Sequence, residues 1–389
     1  MTAVDNALTR KVTPLNLAVT FLGFLDTHML IPVVALYADS LGAGFLGTGL
    51  IVGLYSITNT PANVIFGRLI DRYGSRRPLI AGLLGDGVSM FLYSLCRLPI
   101  HLAFLRAFHG ITGGLVGPAT LSIMAKQASP NQKGRAMGYY GMAIGTATLV
   151  GYGLSSVLVS ASGYNLIFYT GALLLLVGVV LACLMPRDTI SVGSRPESSF
   201  YRSLGQVYEL VRRRGLSASY SSIFAFYFTF GGVVTVLPLH VKGLGMSAFH
   251  VGLSLAAFSL TFVLLQFTSG SLSDRIGRKV PVSAGLCLCA ATVVLLPLAQ
   301  SFAFLLVVMV VYGTAYALIF PSTSALVADY TSAEEYGMAT GIFHALLTSG
   351  VAVGAPVIGW VAGQTTIGFG LIMSGVVALL AVIVVLLRV

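Results

Sequence analysis

Residues Gly67 to Pro78 read G-R-L-I-D-R-Y-G-S-R-R-P and lie between two long apolar runs. Four arginines in one short stretch are too costly to place in hydrocarbon. The segment is therefore expected as a hydrophilic hinge in water that turns the chain straight back into a bilayer. Gly270 to Pro281 repeat the pattern as G-S-L-S-D-R-I-G-R-K-V-P. Gly67 and Gly270, Asp71 and Asp274, Arg72 and Arg275, and Gly74 and Gly277 are each 203 residues apart. The same offset pairs Leu41 with Leu244, Pro118 with Pro321, Thr120 with Thr323, Gly134 with Gly337 and Gly138 with Gly341. A constant offset across several segments predicts a chain built from two related halves.

Composition agrees with a lipid environment. Hydrophobic residues make up 56% of the 389 residues and charged residues 9%, with a mean hydropathy of +0.92; soluble domains carry roughly 25% charge. At about 20 residues per span the length accommodates twelve spans, expected at 14–37, 45–66, 79–96, 99–124, 137–160 and 164–185, then 217–240, 248–269, 281–299, 302–326, 338–361 and 366–387. The halves are then a first bundle at 1–185 and a second at 216–389, joined by a polar connection at 186–215 with room for a short surface helix near Tyr201 to Leu210. That leaves no length for a soluble catalytic domain. No phosphate loop, metal-ligand spacing or nucleophile-base arrangement is present, so neither an enzyme nor a cofactor or metal site is expected.

The net charge of +10 does not point to nucleic acid, because the basic residues sit between apolar segments rather than on one folded face. They read as topology signals. Arg10 and Lys11 precede a first apolar run too long for a cleaved leader, so it is expected as a retained span. With that end inside, all but three of the 22 lysines and arginines fall on inner connections. The exceptions are Arg97 and Lys242 outside and Arg106 within a span. This bias predicts a multi-pass protein of the cell's inner (plasma) membrane with both termini cytoplasmic. The four cysteines, Cys96, Cys183, Cys287 and Cys289, all lie in or beside apolar segments and read as small packed hydrophobes.

An even number of spans per half gives both halves the same orientation, a parallel repeat. With the first hinge close to G-x-L-x-D-R-x-G-R-[KR], the chain resembles the major facilitator superfamily over nearly its whole length, most nearly its 12-span drug:proton antiporter branch. The resemblance implies an all-α membrane protein with about 12 transmembrane helices in two pseudo-symmetric six-helix bundles. It also implies a conformational latch at the hinges, formed by Gly67, Asp71, Arg72, Gly74, Arg76 and Arg77 with Asp274 and Arg275. There Asp71 would sit near a helix N-terminus of the opposite half and the basic residues would tie neighbouring helix ends together.

Ionisable groups inside spans cost at least about 2.5 to 3.5 kcal/mol each, which singles out Asp26, Asp86, Arg106, His109, His28 and His344. Counting about 1.5 Å per residue, Asp26 and Arg106 sit roughly 17 and 11 Å below the outer ends of their spans. They are within reach if the helices are neighbours, either as a proton-coupling pair or as a static bridge. His109 shares a face with Arg106, and L-R-A-F-H-G-I-T-G-G from Leu105 resembles the span-four motif of drug:proton antiporters, whose arginine lies in the coupling region. Asp86, about one third of the way up its span, reads as a structural bond either to the hinge or to a neighbouring helix. Thr58, Asn59, Asn63, Tyr227, Gln266, Tyr312 and Tyr316 are candidate cavity residues, and a largely aromatic cavity suits amphipathic ligands.

The expected function is alternating-access transport, with proton-driven efflux of small amphipathic compounds by a monomer. The partners are then a small-molecule substrate, protons and lipid. Gly141 to Val150, G-M-A-I-G-T-A-T-L-V, keeps two glycines of the antiporter span-five motif but lacks its proline and final glycine pair. A metabolite symporter or facilitator therefore stands as the alternative, with a non-transporting membrane receptor as a third reading.

Overall fold

The computed structural model describes residues 3–127, 133–186, 200–332 and 335–389, and among them the secondary structure is helical throughout. The helices are α1 (Ala3–Leu30), α2 (Val34–Ser40), α3 (Phe45–Tyr73), α4 (Arg76–Tyr93), α5 (Pro99–Gln127), α6 (Lys133–Ser162) and α7 (Tyr164–Leu184). They continue with α8 (Phe200–Arg212), α9 (Arg214–Gly243), α10 (Ala248–Ile276), α11 (Lys279–Leu295), α12 (Phe302–Asp329), α13 (Tyr336–Gln364) and α14 (Ile367–Arg388).

The 203-residue offset holds almost to the residue. It carries both ends of α3 onto α10, the start of α4 onto α11, of α5 onto α12, of α6 onto α13 and of α7 onto α14. The packing repeats too: α1 against α6 and α7 becomes α9 against α13 and α14, and α4 against α5 and α7 becomes α11 against α12 and α14. By contacts the chain forms two compact units, one of 1–42 and 57–193, the other of 43–56 and 194–389. The stretch 43–56 groups with the second unit because Gly49 lies against the backbone of Ala355 and Pro356, where any side chain would collide.

Two expectations about connections change. The hinges were expected as loops in water, yet only Gly74 and Ser75 separate α3 from α4, and only Gly277 and Arg278 separate α10 from α11. Gly74 and Ser75 are buried. The reversal is made by one glycine at positive φ, +89° at Gly74 and +84° at Gly277, a conformation that β-carbon sterics deny to most residues. The side chains of Arg68, Asp71 and Arg72 lie outside the described residues. The first span, expected to be continuous over 14–37, is broken at residues 31–33, and its two parts meet at 43°. Pro32 lacks the donor a helix needs and disfavours helical geometry at Ile31. Its counterpart, α9, runs unbroken.

Among the described residues eight helices are long and apolar enough to cross a membrane, nine with the bent pair. Those that fall short are α3, α4 and α5, although α10, α11 and α12, their counterparts, pass. The shortfall reflects what they carry: Asn59 and Asn63 on α3, Asp86 on α4, Arg106 and His109 on α5. By position in the repeat these three complete a set of twelve. Large apolar side chains such as Phe104 (71% exposed), Phe267 (84%) and Leu387 (75%) face outward, as lipid contact requires and water would not favour. The connection 186–215 contains α8, whose Leu210 is buried and which packs on α9 and α13; residues 187–199 lie outside the description.

At the hinge end each bundle is tied by basic residues. The Arg76 guanidinium donates to the carbonyls of Ala182 (3.2 Å from Nε) and Cys183, at the C-terminus of α7, where a cation meets the negative end of the helix dipole. Its counterpart Lys279 donates to Leu386 O at 3.0 Å, at the end of α14. In the second unit Arg213 grips Glu335 through both nitrogens, at 2.7 and 2.8 Å, and also donates to Tyr330 O. That guanidinium, with the Ser332 amide, pulls the Glu335 carboxyl from 4.5 down to about 2.

Three outcomes follow for the purified protein in detergent. Gly74→Ala should destabilise by about 1 kcal/mol, whereas Gly67→Ala, helical and with nothing within 4 Å of the added carbon, should leave the melting temperature unchanged or slightly higher. Equal losses would contradict the assigned backbone roles. Arg76→Ala should cost about 0.3 to 1 kcal/mol, and Arg76→Lys should retain most of the tie, as Lys279 does. Because the bound Glu335 titrates below its free value, its stabilisation is complete above about pH 4.5 and fades as pH falls through about 2. The melting difference between Glu335→Gln and the unmodified protein should shrink over that window; a constant difference would exclude the charge pair as its source.

Candidate functional site

The first unit buries a cluster of ionisable side chains where α1, α4 and α5 meet. Asp26, Asp86, Arg106 and His109 are exposed by 2, 1, 4 and 0%. Small residues bring the helices close: a β-carbon on Gly82 would come within 3.0 Å of the Thr112 carbonyl, and one on Gly85 would strike the Thr112 side chain. At that separation His109 reaches two carboxylates. Its Nε2 lies 2.9 Å from Asp26 Oδ2 and 3.7 Å from Asp86 Oδ1. Its Nδ1 faces the Tyr93 hydroxyl at 3.1 Å. Thr112 donates to Asp86 Oδ1 at 2.5 Å, orienting that carboxylate toward the imidazole.

The acid expected near Arg106 thus has His109 as its close partner, one turn along the same face of α5. Asp86, expected to bond either the hinge or a neighbouring helix, bonds Thr112 of α5 and also flanks His109. Tyr93 and Thr112 were not singled out in the sequence, being ordinary residues of an apolar helix until α4 and α5 are placed side by side. The ligand atoms of Asp26, Asp86 and His109 all lie within 4.8 Å of one another, close enough for one cation to bridge. No local spacing announces such a set, because each residue comes from a different helix. His28 is half-buried with Nδ1 2.6 Å from Phe24 O and its ring edge-on to Tyr152. His344 is exposed on α13.

The candidate cavity residues divide by their bonds. Thr58 donates to Ala107 O at 2.9 Å and Asn59 to Gly110 O at 3.1 Å, joining α3 to α5, while Asn63 donates to Asn59 at 2.6 Å. In the second unit Tyr227 and Tyr316 share a hydroxyl bond of 2.5 Å. Around them Phe226 stacks on Tyr316 with centroids 4.5 Å apart, and Phe262 lies 4.3 Å from the same ring. Tyr227 and Gln266 are half-buried. Tyr312 is fully buried, its hydroxyl 2.7 Å from Thr229.

At the hinges, Ser75 bonds Ser122 at 3.0 Å and Lys126 donates to Ser75 at 3.4 Å. In the second unit Arg278, the counterpart of Ser75, pairs with Asp274 and, at 3.0 Å, with Asp329, the counterpart of Lys126. One contact is therefore polar and uncharged on one side in the first repeat and fully ionic in the second. Arg77 and Arg275 are exposed. A groove of about 420 Å³ lined by Gly67, Ile70, Pro118, Leu121, Ser122 and Lys126 opens beside the first of these contacts.

Comparison with known proteins places this architecture. An uncharacterized MFS-type transporter of Methanocaldococcus jannaschii is 23% identical over 345 residues, 88% of this chain and 89% of that one. The quinolone resistance protein NorA of Staphylococcus aureus is 28% identical over 143 residues, 37% of each chain. Among solved structures, a bacterial homologue of the human lysosomal transporter Spinster superposes with a TM-score of 0.83 at 13% identity, covering 98% of this chain and 97% of that one. The nucleoside transporter NupG gives 0.80 at 15% identity, covering 96% and 99%. These likenesses carry the fold. The family profile for the Major Facilitator Superfamily matches residues 17–249 and 219–389, and with its two six-helix repeats the chain belongs to that superfamily: a multi-pass membrane transporter of small molecules rather than an enzyme.

Proposed function

We propose that this transporter couples inward proton movement to the export of small amphipathic compounds by alternating access, its bundles at 1–185 and 216–389 moving about the connection 186–215. The observation that carries the reading is the buried contact between Asp26 and His109, 2.9 Å long, which joins α1 to α5 just before the break in the first span. A carboxylate held out of water is expensive while charged and cheap once protonated. A proton arriving at Asp26 removes its charge and weakens its hold on His109, and α1 is the helix with a joint to move at. Arg106, buried one turn from His109 on α5, belongs to the same cluster.

The aromatic faces around Tyr227 and Tyr316 suit flat, partly apolar ligands, with Asn59, Asn63, Gln266 and Tyr312 completing the polar contacts. The partial likeness to a quinolone resistance protein supports efflux. The fold likeness to a nucleoside transporter favours the second reading, a metabolite symporter or facilitator on the same scaffold. The hinges serve as the latch, Asp71, Arg72, Asp274 and Arg275 acting with the helix ends that Arg76 and Lys279 hold. The protein works as a monomer in the cell's inner membrane with both termini in the cytoplasm, as the distribution of basic residues favours.

In liposomes with an imposed pH gradient, the unmodified protein should move fluorescent dyes or quinolones against their gradient. Asp26→Asn should lose at least about tenfold of the gradient-driven rate. Equal, gradient-insensitive flux by both would remove Asp26 from coupling, and uptake of a sugar or nucleoside in place of dye export would favour the symporter.

A further inference from the structure

The 203-residue offset gives each side chain of the first repeat a counterpart in the second. For the buried cluster, Asp26 corresponds to Thr229, Asp86 to Cys289, Arg106 to Met309 and His109 to Tyr312. The Thr229 hydroxyl lies 2.7 Å from Tyr312 Oη and 3.2 Å from Cys289 Sγ, and all four residues are buried. That junction is therefore closed in both units, with ions in one and without the cost of burying them in the other. The approach of α3 to α5 at the hinge end differs, because only its counterpart is closed by the protein's own side chains.

In the second unit α10 and α12 meet there. A β-carbon on Gly270 would lie 3.6 Å from Pro321 Cβ, an ordinary contact, and at the helix ends Arg278 pairs with Asp329 at 3.0 Å. The counterparts of these four residues are Gly67, Pro118, Ser75 and Lys126. A β-carbon on Gly67 would meet nothing within 4 Å. In place of the ion pair Lys126 donates to Ser75 at 3.4 Å, so an ammonium stands where the other repeat has a carboxylate. Between the two helices lies the groove of about 420 Å³ lined by Gly67, Ile70, Pro118, Leu121, Ser122 and Lys126.

The groove is graded in polarity along its length. Over the about 12 Å from Pro118 to Lys126, α5 passes from proline and leucine through Ser122 to the ammonium near its end. Val64, one turn from Gly67, and Leu121 are 53 and 42% exposed, apolar surface that suits lipid and not water. Lys126 and Arg77 are exposed at the hinge end, where the span leaves the bilayer and headgroups begin. An occupant that matches this gradient has an apolar body pointing into the bilayer and an anionic group at its surface. We propose that the groove is a binding site for an anionic phospholipid of the leaflet at the hinge end. Its phosphate pairs with Lys126 beside Ser122, and one acyl chain lies along Gly67, Pro118 and Leu121. The lipid then joins α3 to α5 as Pro321 and the Arg278–Asp329 pair join α10 to α12.

Phospholipid binding needs neither a carried solute nor a proton gradient, so it is measured apart from the export reading. The protein, purified and delipidated in a neutral detergent, is titrated with phosphatidylglycerol or with phosphatidylcholine of the same acyl chains, and bound lipid is counted by native mass spectrometry beside the melting temperature. Phosphatidylglycerol should bind at least about fivefold more tightly and raise the melting temperature further. Lys126→Asp should abolish that preference, whereas Arg77→Asp, the same charge change at the same end but outside the groove, should keep most of it. Gly67→Leu fills the groove with every charge in place and should weaken phosphatidylglycerol binding about tenfold. Ser75→Arg combined with Lys126→Asp copies the Arg278–Asp329 pair, and this protein should gain no further stability from the lipid. Equal losses in Lys126→Asp and Arg77→Asp, or unchanged binding by Gly67→Leu, would reduce the site to a basic membrane surface and overturn the inference. Stabilisation by inorganic phosphate equal to that by phosphatidylglycerol would make it a free-anion site and overturn the phospholipid. If Gly67→Leu does not fold, the comparison of Lys126→Asp with Arg77→Asp decides.

Discussion

The constraint on which this protein turns is the price of charge inside a helix bundle bounded by lipid. Two carboxylates, an imidazole and a guanidinium occupy one junction of the first unit, each less than 5% exposed, and each would cost several kcal/mol if left alone. The bundle meets that cost by mutual placement. Asp26 and Asp86 flank one imidazole, Tyr93 holds its far side, and Thr112 fixes the second acid. Two of its three helices give up hydropathy to host the arrangement, so α4 and α5 fall below the apolarity of their counterparts α11 and α12. Close approach of α4 to α5 across Gly82 and Gly85 is what lets one histidine address two helices.

Duplication makes this cost interpretable. Helix boundaries, packing partners and the positive-φ glycines of two turns, Gly42 with Gly245 and Gly74 with Gly277, repeat across 203 residues, so differences between the repeats are differences of chemistry on a common frame. Some are conservative: Arg76 and Lys279 perform the same task at the ends of α7 and α14. Others are not. The Ser75–Lys126 contact becomes the Arg278–Asp329 ion pair, and the charged junction becomes Thr229, Cys289 and Tyr312. A break in the first span lies next to the charged junction, against an unbroken α9 next to the neutral one, so the bent span and the buried ionisable groups belong to the same repeat.

The fold was largely legible in the sequence because its signals are local and repeated: long apolar runs, a recurring hinge and one constant offset. The individual costly residues were legible for the same reason, since an aspartate in an apolar run stands out whatever its partner. Partners were not. Whether Asp26 faces Arg106 or His109 depends on the rotation of two helices and on one turn of α5, and Asp86 joins only because small residues let α4 and α5 approach. The hinge was misread as a loop because four arginines suggest water; the helices extend to Gly74 on one side and from Arg76 on the other, carrying those side chains at a helix end. Pro32 sat in plain view, but a proline alone does not announce a break: Pro61 in α3, Pro118 in α5 and Pro238 in α9 lie inside helices that run on through them.

The central claim is that the charges of the first junction serve transport and not the fold. The direct measurement exchanges that junction for its neutral counterpart: Asp26→Thr, Asp86→Cys, Arg106→Met and His109→Tyr in one protein, assayed for melting temperature and for pH-gradient-driven flux. The account predicts a folded protein that melts at or above the unmodified temperature and has lost its response to the gradient. A protein that cannot fold with the neutral junction, or one that folds and still transports in proportion to the pH gradient, would contradict it.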